Sequence, residues 1–101
     1  MMILATPAAA VSAKDIAGKW CSERGSQEFT RDNFTVIRAS DGGQRVYSIE
    51  RYEDRGTEIA VLWKDSRGIE RTTTYGEFSG DGNSMTQLQT KEALAVPFHR
   101  C

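Results

Sequence analysis

Histidine and cysteine are scarce in this chain: His99 is the single imidazole, and Cys21 and Cys101 are the two thiols. A zinc site needs four ligands, usually in close pairs, and no such set can be drawn from them. No serine stands in a G-x-S-x-G elbow, so the parts of a nucleophilic hydrolase are missing. No apolar run approaches the ~20 residues of a membrane-spanning helix. Charge excess is lacking too, with 13 basic against 14 acidic side chains and a net charge of −1. Phosphate-binding domains carry a basic surplus, so nucleic acid is not an expected partner, and neither is an anionic membrane surface. The charges fall singly or in twos, as in ERYEDRGTE (50–58), the pattern of solvated strand faces and turns.

What is present begins with residues 1–13, MMILATPAAAVSA, which carry no charge. MMILA resembles the end of the apolar core of a signal peptide, and AAAVSA supplies small residues suited to cleavage after Ala10 or Ala13. No basic residue precedes Lys14, so either the start lies upstream or only the end of a leader is retained. The alternative is a disordered N-terminus. The expected organisation is therefore a leader remnant over 1–13 and a single domain over 14–101, in keeping with a chain of 101 residues. The expected location is the periplasm or the exterior of the cell.

The two cysteines bracket that domain. A disulfide between Cys21 and Cys101 is expected, tying first strand to last, with two free thiols as the alternative.

Past Lys14, β-branched and aromatic segments alternate with polar turns: SERGS (22–26), RDN (31–33), SDGG (40–43), EDRG (53–56), KDSRG (64–68) and SGDGN (79–83), with TKEA (90–93) weaker. Eight strands are predicted between them, over 16–22, 27–30, 34–39, 45–52, 57–63, 69–78, 85–89 and 96–101. Short turns at this spacing specify an all-β antiparallel up-and-down meander. Ile59, Val61 and Trp63 share one strand face, and Ala60 and Leu62 the other. For residues 69–78 the inward face is left open, and no helix is expected beyond one turn in TKEALA. A meander leaves two exposed edges; pairing the last strand with the first removes both by closing a barrel.

Gly18-Lys19-Trp20 in the first strand resembles the G-x-W motif of the lipocalins and the wider calycin group, especially small secreted bacterial barrels, with Arg100 standing where an arginine of the last strand covers that tryptophan. The resemblance implies an eight-stranded lipocalin-like barrel closed at one end by Gly18, Trp20 and Arg100. It also implies a binding role, for a small apolar molecule or, as in the inhibitor-type barrels, another protein. This chain is about half a lipocalin in length, and its short strands favour an interior filled by its own side chains.

Candidate sites are few. His99 is read as a strand-face residue, and Glu50, Glu53, Asp54 and Glu58 as solvated turn charge rather than an acid–base pair. GDGNS (80–84) lacks the ligand series of a calcium loop and reads as a hairpin turn. NFT (33–35) fits a glycosylation sequon without further support. Of the nine aromatic residues most are assigned to the core, while Trp63 beside KDSRG and Tyr52 beside EDRG are candidates for a ligand-binding rim. The expected function is that of an exported, non-enzymatic, monomeric binding module of the bacterial envelope, without cofactor or metal. It would take a small apolar molecule or another envelope protein; a solid structural barrel is the alternative.

Overall fold

The computed structural model describes residues 10–91 and 93–101. One helical turn, α1 (Ala13–Ile16), precedes eight strands: β1 (Gly18–Ser22), β2 (Gly25–Phe29), β3 (Asn33–Arg38), β4 (Gln44–Arg55), β5 (Glu58–Lys64), β6 (Glu70–Gly76), β7 (Ser84–Gln87) and β8 (Val96–Arg100). Each strand pairs antiparallel with the next, and β8 returns to β1, so the sheet is a closed up-and-down barrel. Residues 1–9, which hold most of the expected leader, lie outside the described residues.

Strand ends differ from the sequence reading where backbone geometry overrides side-chain pattern. β2 starts at Gly25, not residue 27, because Gly25 takes a φ of +134° and any Cβ there would run into the Ile37 carbonyl oxygen. β4 runs three residues beyond the expected 52 and meets β5 across Gly56 and Thr57, with a register shift between Ile49 and Arg51 that bends the long strand. Ile16 belongs to α1 rather than to the first strand. There the Ser12 N–H donates to the Asp15 carboxylate (2.7 Å) and the Asp15 N–H to the Ser12 carbonyl (2.9 Å), so the chain turns before it extends. No helix forms among the described residues of TKEALA.

The packed body reaches further forward than Lys14. Val11 is buried, and its N–H donates to the Gly56 carbonyl (2.9 Å). Ala13 also packs on the core cluster.

Trp20, Phe29, Tyr75, Ile16, Ile59 and Met85 are the largest side chains sealed inside. In β6 the inward face is the one carrying Thr73 and Tyr75: Tyr75 is buried, and Thr73 accepts a hydrogen bond from inward-facing Trp63. Phe78, which strict alternation would put on the face opposite Tyr75, also packs on the core, because Glu77 takes a φ of +54° and redirects the chain after β6. On the outside of β5, Ala60 and Leu62 are buried as well, flanked by Glu53 and Thr74, and by Arg51 and Thr72. The Arg51–Glu53–Arg55 ion pairs (2.9 and 2.8 Å) run along the neighbouring stretch of β4.

Two seams are thin. β6 meets β7 through Tyr75↔Gln87 and Gly76↔Thr86, and β1 meets β8 through Trp20↔Arg100 and Cys21↔His99. The second is bridged covalently by the Cys21–Cys101 disulfide, whose Cα atoms are 5.1 Å apart.

Candidate functional site

The barrel is closed at one end by α1, Trp20, Phe78 and Arg100. Trp20 is fully buried and donates its indole N–H to the Ile16 carbonyl (2.9 Å). Phe78 meets it edge-on, with centroids 6.4 Å apart. The Arg100 guanidinium lies over the indole, 3.8 Å from the ring centroid, and donates to the carbonyls of Ala17 (2.6 Å), Asp15 (3.0 Å) and Gly82 (3.4 Å). Gly18 makes room for this: its φ is +102°, and a Cβ would sit 2.9 Å from Arg100 Nη1. The structure thus brings Gly18, Trp20 and Arg100 together, beside the disulfide. The hydrogen bonds named here all run to main-chain carbonyls, so the group holds the shape of this end.

Elsewhere the interior is left incompletely filled. A cavity of about 190 Å³ lies among Gln27, Phe34, Val36, Tyr47, Trp63, Thr73, Tyr75 and Gln87. The space opens to solvent and has room for a body about the size of one ring. One wall is aromatic. Phe34 meets Trp63 edge-on at 5.0 Å and Tyr47 at 5.2 Å, and Tyr47 lies 4.6 Å from Trp63. Tyr75 contributes to another wall and packs edge-on against the core ring of Phe29 (5.3 Å). Four of the lining positions, Gln27, Thr73, Tyr75 and Gln87, carry polar groups that are hydrogen-bonded within the lining.

Those side chains form two short relays. The Tyr75 hydroxyl donates to Gln27 Oε1 (2.6 Å), and Gln27 Nε2 donates to Gln87 Oε1 (3.3 Å). The Trp63 indole N–H donates to Thr73 Oγ1 (3.0 Å). No charged side chain lines the cavity.

Of the two residues expected at a binding rim, the structure brings Trp63 to the cavity wall and places Tyr52 elsewhere. Tyr52 pairs with Val61, and its hydroxyl donates to the Thr30 carbonyl (2.6 Å) in the β2–β3 turn, next to where Phe29 pairs with Gly18 of the closed end. Burial pushes its phenol up to about 12. Gln27 and Gln87 were not singled out from the sequence, since an isolated glutamine in a strand reads as outward-facing. Strict alternation finds them: Gln27 is two residues from Phe29 and Gln87 two from Met85, both inward.

The remaining carboxylates serve their own turns. The Gly43 N–H lowers Asp41, the Ile69 N–H lowers Asp65, and the Ser79 hydroxyl lowers Asp81 within GDGNS. Arg55 and then Arg51 lower Glu53. His99 is exposed on β8 opposite Cys21. Among the described residues no group of three or more His, Cys, Asp or Glu is placed to hold a metal, and no helix is long and apolar enough to cross a membrane. A wider groove of about 940 Å³ runs outside the closed end along Val11–Asp15 and residues 77–83. In its walls the Ser79 hydroxyl is bonded to Asp81, whose carboxylate also accepts from the Asn83 N–H, and Arg100 is bonded to main-chain carbonyls, while Lys14, Glu58 and Glu77 also line it.

Comparison with protein-family models, with curated proteins and with solved structures finds no match. The class defined by the fold and the site is a closed eight-stranded antiparallel barrel, plugged at one end and with a small interior cavity.

Proposed function

We propose that this chain is an exported, lipocalin-like binding module that holds one small, largely apolar molecule inside its barrel, without bond-making chemistry. The observation that carries the reading is the cavity of about 190 Å³ with Phe34, Tyr47 and Trp63 along one wall. Aromatic walls with a few fixed polar groups are the usual lining of small-molecule sites. The volume limits the guest to roughly one ring or a short branched chain. The Cys21–Cys101 bridge supports export, because such bonds persist in oxidising compartments. The leader-like opening residues point the same way. Trp20 under Arg100 supports the lipocalin-like character, on the strength of geometry alone.

The test is a native mass spectrum of protein expressed with its upstream region and purified without reductant. A small extra mass that leaves on denaturation, and that is lost in Trp63→Ala while the fold persists, is the expected result. A bare barrel that also shows no probe binding at the cavity would mean a solid structural protein. A stable complex with another protein that survives Trp63→Ala would move the function to the outer surface, as in the inhibitor-type barrels.

A further inference from the structure

Given a guest in this cavity, as proposed above, the polarity of its lining decides which chemistry is accepted. Two donors in the wall have no acceptor among the described residues. The first comes at the end of the glutamine relay. Burial, and secondarily the neighbouring Tyr52, push the Tyr75 phenol well above the ordinary tyrosine range, so it stays protonated and acts as donor. It donates to Gln27 Oε1, which turns the Gln27 amide so that Nε2 faces Gln87. Gln87 responds with Oε1, leaving its own Nε2 and both of its N–H bonds unclaimed. No buried side-chain polar atom among the described residues lacks a partner, so this free nitrogen is one that solvent or a guest can reach. The second donor is Thr73. Its oxygen is occupied as an acceptor by the Trp63 indole, and its hydroxyl proton has no partner.

We infer that the guest is a neutral molecule with a ring-sized apolar body and one hydrogen-bond acceptor, a carbonyl, ether or ring-nitrogen lone pair, received by Gln87 Nε2–H and the Thr73 hydroxyl. Neutrality follows from the absence of any charged side chain in the lining, since an ion placed there would be desolvated without a counter-charge. The need for an acceptor follows from exchange with water. A wholly apolar guest would strip both donors of water and return nothing, whereas an acceptor replaces the lost bonds.

The experiment uses two probes of one skeleton, acetophenone and α-methylstyrene, in which a C=O is exchanged for C=CH₂. Each is titrated into the full oxidised chain, followed through the backbone and indole N–H signals in a proton–nitrogen correlation spectrum. Both are expected to shift the Trp63 indole and the signals of β6 and β7, with acetophenone binding about fivefold more tightly, the scale of one net hydrogen bond. In Gln87→Leu and in Thr73→Val that preference is expected to narrow while α-methylstyrene binds at least as well as before. Equal binding of both probes to the unmodified chain overturns the acceptor requirement and leaves the cavity reading intact. Failure of both probes to shift any cavity signal overturns the cavity reading itself, and this inference with it. Because the decisive comparison is made on the unmodified chain, it does not depend on either variant folding.

Discussion

Replacing Cys21 and Cys101 together by serine removes the one covalent tie across the seam between first and last strands. The bond closes a loop with a sequence separation of 80. In the chain-entropy account, opening a loop of that length costs about 4.5 kcal/mol. Small domains hold about 5–15 kcal/mol in all, so a third or more of the stability is at stake. The seam has little to replace it with, since β1 and β8 share only the pairs Trp20↔Arg100 and Cys21↔His99. At about 4–8 °C per kcal/mol for a domain of this size, the melting temperature is expected to fall by about 20–35 °C. Urea unfolding followed by tryptophan fluorescence and far-ultraviolet dichroism measures the change directly. The variant is also expected to show a steeper dependence on urea, because its unfolded chain is free to expand. Added reductant should lower the midpoint of the unmodified chain and leave the variant where it is. A loss below about 1 kcal/mol would refute the reasoning, for then the strand pairing and Arg100 already hold the seam without the loop constraint.

Arg100→Met keeps the aliphatic stem but removes the charge over Trp20 and three carbonyl contacts, and should cost about 2–3 kcal/mol by denaturant titration. Gly18→Ala should cost about 1–3 kcal/mol for its φ of +102° and its clash with Arg100, with the clash portion lost in the Arg100→Met background, which a double-mutant cycle reads. Chains beginning at Val11 and at Lys14 should differ by about 2–4 kcal/mol, because the shorter one loses the buried Val11 side chain and the Ser12–Asp15 contacts; equal melting temperatures would show that Val11 is not part of the packed body. Raised phenol pKa values mean that the folded state holds protons the unfolded state releases, so the tyrosine contribution to stability should be constant below pH 10 and be lost between pH 10 and about 12 as Tyr52, and above it Tyr75, are forced to ionise. Ultraviolet titration of the phenolates, with Tyr52→Phe as control, follows that loss. Finally, Tyr75→Phe combined with Gln27→Leu and Gln87→Leu replaces a whole relay by hydrocarbon and should leave stability within about 1 kcal/mol of the original or raise it, while narrowing the preference for a hydrogen-bonding probe to what the Thr73 hydroxyl supplies.

The meander was legible because its punctuation is local. Gly and Asp at 41–43, 54–56 and 80–82 stop one strand and permit the next whatever the rest of the chain does, and closure followed from the need to remove two edges. Strand ends were less legible because they depend on distant backbone: Gly25 is in β2 because of where Ile37 lies, and nothing near Gly25 shows it. The turn at α1 had a local sign, Ser12 with Asp15 three residues on, but the small apolar residues around it match a leader equally well. The cavity was the least legible part. Trp63 was within reach, since a tryptophan ending an apolar strand has few other uses. Gln27, Thr73 and Gln87 carry no sign in isolation and acquire meaning only when β2, β6 and β7 set them around one space.

The two regions of the interior treat polarity in opposite ways, and the contrast bears on whether the barrel is a container. At the closed end the strongest donors, the Trp20 indole and the Arg100 guanidinium, are all received by main-chain carbonyls, and the result is rigid. Around the cavity, three amide or hydroxyl side chains occupy positions where leucine or valine would pack with fewer demands, and their relays end in donors left open. No buried side-chain polar atom among the described residues lacks a partner, so these open donors are within reach of water, while an apolar replacement of the same shape is close to neutral. A barrel whose only task was to be solid could fill positions 27, 73 and 87 with hydrocarbon at little cost, as its own Ile59 and Val61 do on β5. Polar groups at these positions, beside a ring-sized space and a three-membered aromatic wall, are what the proposed guest would use to complete its hydrogen bonds, and the acetophenone comparison tests that use.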